Sequence, residues 1–494
     1  MLAPSLILNL EKLTYKELQS KSLKIRNWLI SKNVKRGDKV LLLIPLSTEL
    51  YATIIALLRI GAIGVLYEPK DIFWQLNNTT KQVKPDFLIT SKKTNFFLNF
   101  NKFYRSIKKK LFIEETFYIK SDNLRNLSDN VNLSDLALIN FTSGSEGVPK
   151  GICRDHGFLL EQHKVLQKYM KLNKEDVILT TLPVFVLSML VAGSFVVIPR
   201  LKKNLPWYPD SQSIEMIKKL RVNLILGASA FIQQLIKETS KKKEKLPSIK
   251  KVIIGGCFLE KKLIKQLKYF LSEEVDIEII YGSTEAEPVS HINIKELNDA
   301  WDKYSLLGYC VGKPIKDITA KIIPFSKNPI EKSKLSFVGE GDFGELIVSG
   351  THINKKYIPQ EPAFSKNKII DDSGKLWHRM GDGAYFDKKG RIWLVGRFKH
   401  LPQEALDNFS NYINMEIELK KLYNTSKLSF VENKNGPIIY IESSFLNKLS
   451  NKKRKKAMSI IQRYGFNCND IYIRKKLPLD RRHNSKISYG DLKK

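Results

Sequence analysis

The chain has 494 residues, 43% hydrophobic and 27% charged, which excludes a disordered tail and a disulfide-stapled mini-domain. Cys153, Cys257, Cys310 and Cys468 stand far apart with no CxxC, so neither structural zinc nor a disulfide framework is expected, and a reducing compartment is the simpler setting. The net charge of +33 rests on 67 lysines and only 16 arginines. Lysine spread along a whole chain is a compositional bias rather than the arginine fork of a nucleic-acid reader, so no nucleic-acid partner is expected.

At roughly 150 residues per domain, the length suggests about three domains or subdomains. The opening MLAPSLILNLEK has no basic n-region and reaches Glu11 early, so no secretory signal is expected. From Tyr15 to Val34, the residues Leu18, Ile25, Trp28 and Leu29 fall at helical spacing. Arg36-Gly37-Asp38 turns the chain into KVLLLIP, an apolar strand from Lys39 to Pro45. A helix from Ser47 to Ile60 follows, then the strand AIGVLYEP. Strands that are apolar throughout and alternate with helices predict parallel sheets covered on both faces.

From Val177 to Pro199 no residue is charged, a length that suits a membrane span. Pro183, Thr180, Thr181, Ser188, Gly193 and Ser194 interrupt it. VILTTLP therefore reads as a buried strand ending at a proline, followed by a short helix and the strand SFVVIP. No transmembrane segment is expected, and the chain is cytoplasmic in character. RVNLILGA is a strand, Phe231 to Lys237 a helix, KKVIIGG a strand, Glu260 to Leu271 a helix and DIEIIYG a strand. Past Ser290, short strands split by glycine and by Asp-Lys-Lys-Gly turns predict a β-rich subdomain. The charge runs Lys237–Pro247 and Ser450–Lys456 read as solvated loops or helix ends. The expected fold class is α/β. A large N-terminal domain, residues 1–397, has parallel-rich sheets packed with helices plus the β-rich subdomain. It is hinged near Lys399 to a small α+β domain, residues 398–494.

LINFTSGSEGVPKG, from Leu138 to Gly151, carries the most chemistry. An apolar strand feeds Thr142, Ser143 and Ser145, interleaved with Gly144 and Gly147, and Lys150 follows. Glycines let backbone N–H groups turn toward a ligand, hydroxyls add donors, and the lysine adds positive charge. The combination suits a polyphosphate. It is neither Walker A nor GxGxxG.

This segment resembles the signature of the adenylate-forming superfamily, which contains acyl-CoA synthetases, luciferases and peptide-synthetase adenylation domains. Further matches follow in order: LTYKEL, TLPVFVL, YGSTEAEP from Tyr281 to Pro288, GELIVSG, WHRMGDGAYFDKKGRIWLVGR, and PLDRRHNSKI near the end. FTSGS, LPVFVL without a histidine, EAEPVS, WHRMGD and RRHNSKI resemble one branch in particular, the β-lactone synthetases of olefin biosynthesis.

The resemblance implies ATP- and Mg²⁺-dependent activation of a carboxylic acid, a fatty or 3-hydroxy fatty acid, to an acyl-adenylate with release of pyrophosphate. β-Lactone closure or acyl transfer would follow. Attacker and target are both anionic, so such a site must neutralise charge and align reactants. By resemblance, Thr142, Ser143, Ser145 and Lys150 hold the β and γ phosphates, Thr284 touches the α-phosphate and Glu285 ligates Mg²⁺. Asp382 and Arg397 take the ribose, Tyr281 and Gly282 lie by adenine with Gly255 and Gly256 allowing close approach, and Lys486 bridges carboxylate and α-phosphate in the transition state. Individually such residues are common: an Asp in Met-Gly-Asp-Gly often marks a turn, and this chain has many lysines. The pair His378 and Asp382 also spells HxxxD, which reads here as coincidence.

Three departures stand out. Glu146 occupies a position where the family most often has threonine. Val186 replaces a common histidine. The segment after the hinge, RFKHLPQEALDNFSNYINMEIE, has no glycine, and no proline at the place where thioester-forming relatives carry one. Asp407 or Asn408 is the candidate for the left-handed backbone that glycine supplies there, and Glu416 or Glu418 for the glutamate. CoA use is therefore left open beside an intramolecular second step. An acyl carrier or pathway enzyme is the other acceptor or partner to consider. The alternatives are an acyl-CoA or acyl-carrier-protein ligase and a catalytically decayed nucleotide- or acyl-binding protein.

Overall fold

The computed structural model describes residues 4–8, 11–67, 72–118, 131–142, 150–199, 201–202, 205–255, 261–297, 308–331, 335–425, 427–443, 451–478 and 492. Local chemistry sets the elements. The LTYKEL motif is a helix start: the Thr14 hydroxyl accepts from Glu17 N at 3.2 Å and the Glu17 carboxylate accepts from Thr14 N at 2.7 Å. This capping box satisfies two amides that the helix Tyr15–Ser31 would leave bare, and is worth about 1 kcal/mol. Its Ile25, Trp28 and Leu29 are buried against the sheet and the helix Thr48–Ile60. The uncharged stretch folds as the strand Val177–Thr180, the helix Pro183–Val191 with proline in its first turn, and the strand Phe195–Ile198. Among the described residues, no helix is long and apolar enough to cross a membrane. The helix expected at Phe231–Lys237 runs further, Ser229–Lys242. Lysine and glutamate are good helix formers, and Lys242 reaches Glu215 at 2.6 Å.

Two large sheets organise the chain. The seven-stranded sheet has the order Lys356–Ile358, Lys150–Asp155, Leu136–Thr142, Ile63–Leu66, Lys39–Leu43, Phe87–Thr90 and Lys110–Phe112. Its last five strands are parallel, and the first two join them antiparallel. The second sheet has fourteen strands. Pro4–Leu8, Phe195–Ile198, Val177–Thr180, Leu224–Ala228, Lys251–Gly255 and Asp276–Ser283 form its parallel part. The β-rich region expected after Ser290 grows directly from this sheet. Ala286–Asn293 pairs with Asp276–Ser283 and then with Tyr309–Pro314, which leads to the antiparallel strands Ile392–Arg397, Leu376–Phe386, Gly344–Gly350 and Ile318–Ile323.

Buried apolar side chains fill the layers between sheets and helices. A further core gathers Phe398, Leu401, Phe409, Met415, Phe430 and Ile461. It lies around the three-stranded sheet Leu428–Val431, Ile438–Glu442 and Asp470–Arg474 and the helices Phe409–Tyr423 and Asn451–Arg463. Phe325, Phe343 and Val395 pack against that core from the large sheet's side. The first turn of the second helix is the charge run expected to be solvated.

Candidate active site

Three strands bring the first group together. Tyr281 ends the parallel part of the large sheet, and Asp382 and Arg397 face one another as register partners on Leu376–Phe386 and Ile392–Arg397. The Tyr281 hydroxyl donates to Asp382 Oδ2 at 2.7 Å. Arg397 Nε lies 2.9 Å from Asp382 Oδ1, and Arg397 Nη1 donates to Met380 O at 2.9 Å. Burial, and then the Asp382 carboxylate, push the Tyr281 phenol well above its usual range. Burial opposes the Arg397 charge, but Asp382 more than restores it. Asp382 is thus a mid-strand residue, not a turn. Gly381 makes room: its φ is +67°, and a Cβ there would stand 2.6 Å from Arg397 Nη1. The arrangement offers a buried two-oxygen acceptor flanked by a guanidinium and an aromatic ring, which suits a ribose diol beside a base.

The second group begins four residues beyond Tyr281. Ser283 pairs with Ala286, so Thr284 and Glu285 form a two-residue hairpin turn. Gly282 permits it, because a Cβ would meet Ala286 O at 2.6 Å. Two contacts hold the turn from outside. Arg154 Nη2 donates to Thr284 O at 2.9 Å, and Asn354 N donates to Glu285 O at 2.8 Å. The Glu285 carboxylate meets Lys150 Nζ at 2.7 Å. Burial alone would push Glu285 up, but the Lys150 ammonium overrides it and holds the carboxyl well below its usual range.

Lys150 Nζ also donates to Asn367 Oδ1 at 3.3 Å and stands 5.3 Å from the Tyr357 ring centroid, while Lys368 Nζ stands 5.5 Å from that ring. Lys368 is only 3% exposed, and its Nζ has no hydrogen-bond partner among the described residues. Burial pushes its ammonium down to about 7, with Glu285 opposing and Lys150 repelling. His378, opposite Lys368 in register, is buried and held well below its usual range by burial and by Lys368. Its Nδ1 lies 3.1 Å from Asn367 O.

An ionised, buried carboxylate is the oxygen ligand a hard cation prefers. Among the described residues, no group of three or more acidic, histidine or cysteine side chains could hold a metal ion. Glu285 therefore fits Mg²⁺ in the manner of nucleotide sites, with one carboxylate and the remaining ligands from phosphate and water. Lys150 supplies the positive charge at that carboxylate here.

The placement of the other expected residues is as follows. Thr142 ends the strand Leu136–Thr142 as register partner of Lys150, the two strands being an antiparallel pair. Ser143, Gly144, Ser145, Glu146, Gly147, Gly256 and Lys486 lie outside the described residues. Gly255 ends the strand Lys251–Gly255, and Lys399 follows Arg397 in a turn. Val186 is buried in the first core.

One expectation is corrected. Asn408 has φ −126° and Asp407 closes the helix Gln403–Asp407, so neither adopts the left-handed backbone expected of a glycine substitute. The segment breaks between two short-coupled helices instead. Glu416 and Glu418 are engaged with Lys420 at 2.6 Å and with the Tyr464 hydroxyl at 2.7 Å. Sequence reasoning missed Arg154, Tyr357 and Lys368. No motif marks them, and only the pairing of Lys356–Ile358 with Lys150–Asp155, and of Lys368–Ile370 with Leu376–Phe386, brings them near Glu285.

A family model described as AMP-binding enzyme matches residues 3–358. The olefin beta-lactone synthetase of Stenotrophomonas maltophilia (strain K279a) is 25% identical over 405 residues, 78% of this chain and 72% of that protein. The medium-chain fatty-acid–CoA ligase of Escherichia coli (strain K12) is 22% identical over 417 residues, 81% of this chain and 70% of that one. The structure of o-succinylbenzoate coenzyme A synthetase from Bacillus subtilis in complex with ATP and magnesium ion superposes with TM-score 0.73 at 18% identity, covering 99% of this chain and 96% of that chain. The chain belongs to the AMP-binding enzyme family and is an adenylate-forming, acid-activating enzyme.

Proposed function

We propose that the enzyme binds ATP and Mg²⁺ and activates a fatty or 3-hydroxy fatty acid, whose adenylate then closes to a β-lactone. The carboxylate oxygen attacks the α-phosphorus, the bond to the β-phosphate breaks, and pyrophosphate leaves. In the second step the 3-hydroxyl oxygen attacks the acyl carbon, its proton is lost and AMP leaves. No external thiol is required. The observation that carries the reading is the joining of two groups by one short hairpin: Tyr281, Asp382 and Arg397 at one end, and Glu285 with Lys150 at the other. The first suits a nucleoside, the second a magnesium-bound polyphosphate.

In this reading Asp382 and Arg397 orient the ribose, Tyr281 lies against the base, Lys150 leaves Glu285 for the phosphates, and Glu285 takes the cation. The hydroxyls of Thr142, Ser143 and Ser145 and the backbone at Gly144 and Gly147 close over the phosphates. Residues 398–494 turn about Lys399 and deliver Lys486 to the reacting oxygens. The olefin beta-lactone synthetase likeness and the absence of the glycine–proline pattern after the hinge favour lactone closure. The fatty-acid–CoA ligase likeness supports a second reading, transfer to CoA or an acyl carrier.

ATP–pyrophosphate exchange with a panel of acids tests the first step. Exchange is expected with long 3-hydroxy acids and is expected to vanish in Lys486→Ala, with AMP binding retained. Absence of exchange with every acid, or full exchange in that variant, overturns the reading. Product analysis without any thiol separates lactone closure from acyl transfer.

A further inference from the structure

The far edge of the seven-stranded sheet, opposite the strand that carries Lys150, has an unusual surface. Two short helices, Lys92–Leu98 and Lys102–Ser106, cover the strands Phe87–Thr90 and Lys110–Phe112. They are pinned from inside by Leu98, Tyr104 and Ile107, all buried, and by the Tyr104 hydroxyl donating to Asn95 Oδ1 at 2.7 Å. Outside the pins, Phe96, Phe97 and Phe100 are 71%, 62% and 85% exposed. Phe96 and Phe97 meet edge to face at 5.7 Å. Three largely exposed phenylalanines within five residues are a cost to a surface that faces water.

Most of the surrounding charge is positive, the carboxylates Asp86 and Glu114 being taken up by the backbone amides of Lys39 and Lys92 at 2.8 and 2.9 Å. Between Asp86 and Glu114 the chain has seven lysines and arginines and no carboxylate. Three residues beyond Phe100 in the chain, Phe103 lines a cleft of about 680 Å³ together with Lys81, Lys84, Lys108, Lys109 and Asp86, among others. Asp86, its one carboxylate, is engaged by Lys39 N at 2.8 Å. Lys81 Nζ stands over the Phe103 ring at 5.2 Å, so cation and aromatic surfaces adjoin.

We propose that this edge docks on an anionic lipid bilayer, with Phe96, Phe97 and Phe100 entering the acyl boundary and the lysine cleft meeting lipid phosphates. Apolar insertion and electrostatic attraction are the two contributions that hold a protein at a membrane surface, and neither alone is strong. An acidic protein would complement the lysines but would leave the phenylalanines without a specific pocket to fill. Docking would also set the enzyme at the phase into which long-chain acids partition, although the proposal does not depend on that substrate.

Co-sedimentation of the full chain with vesicles tests it. Binding is expected to vesicles of phosphatidylcholine with phosphatidylglycerol, to weaken with salt, and to be slight with phosphatidylcholine alone. F96S/F97S/F100S is expected to lose on the order of tenfold or more in vesicle affinity. K84S/K108S/K109S is expected to lose the preference for phosphatidylglycerol. All six side chains are outside the active site, so both variants should keep the wild-type thermal midpoint and AMP affinity. Absence of binding to the anionic vesicles overturns the proposal. So does wild-type binding by the phenylalanine variant, which would reduce the surface to non-specific charge.

Discussion

Asp382 and Arg397 face each other across neighbouring antiparallel strands, and Arg397 Nε lies 2.9 Å from Asp382 Oδ1. The pair does two things at once. It fixes a buried carboxylate so that its second oxygen accepts from Tyr281. It also ties the end of the large sheet to Phe398, the first side chain of the C-terminal core.

Asp382→Asn should separate these roles. The neutral amide keeps the shape but leaves the Arg397 charge without its counter-ion, which is costly in a buried setting, about 3 kcal/mol. AMP affinity measured by calorimetry is expected to fall at least about tenfold, with a lower thermal midpoint. Unchanged AMP affinity would remove Asp382 from the nucleotide site.

Gly381→Ala probes the same point by crowding. The residue has φ +67° and an added Cβ would stand 2.6 Å from Arg397 Nη1. Left-handed backbone costs a non-glycine residue roughly 1–2 kcal/mol. The variant is expected to lose that much stability in urea titration and, with Arg397 displaced, to bind AMP more weakly while its affinity for free pyrophosphate stays the same.

Glu285→Gln should act at the other end. Removing the carboxylate leaves Lys150 without its ion-pair partner and any cation without its protein ligand. The exchange rate is expected to drop by about a hundredfold, on the order of 3 kcal/mol of transition-state stabilisation. The magnesium concentration for half-maximal rate should rise, while AMP affinity measured without metal holds. A variant with an unaltered magnesium profile would exclude Glu285 as the ligand.

Lys368→Met is expected to stabilise the nucleotide-free protein at neutral pH, because the ammonium is buried without a hydrogen-bond partner among the described residues. The sign follows from linkage. Its pKa is near 7 in the fold against 10.5 in the unfolded chain, so between those values the unfolded state binds more protons and stability rises with pH. The difference in thermal midpoint between variant and wild type should be largest at pH 7 and below and shrink toward pH 10. A difference that does not change with pH would mean that Lys368 is solvated. ATP affinity is expected to fall in the same variant, since an unpaired cation beside Lys150 would attract phosphate.

Much of the framework is legible in the chain itself. The strands Lys39–Leu43, Val177–Thr180 and Leu224–Ala228 announce themselves as unbroken apolar runs, and the capping box is written in LTYKEL. Such signals are local: helix and strand periodicity and caps depend on residues a few positions apart. Where local rules compete, the reading slips. The helix beginning at Ser229 outruns its apolar stripe because lysine and glutamate extend it. The break at Asn408 takes an ordinary negative φ because two helices meet there.

The candidate site divides in the same way. Ordered motifs single out Lys150, Tyr281, Glu285, Asp382 and Arg397 as a list of residues. That Tyr281 meets Asp382 across 101 residues, and that Lys150 pairs with Glu285 rather than with solvent, is decided only when the sheets assemble. The sequence also determined the charge of +33, almost all of it ordinary lysine. Only the tertiary structure decided that Lys368 is buried against Tyr357 while Lys108 and Lys109 line an open cleft. Burial and local dielectric belong to the packed whole, and they, not composition, set what each charge can do.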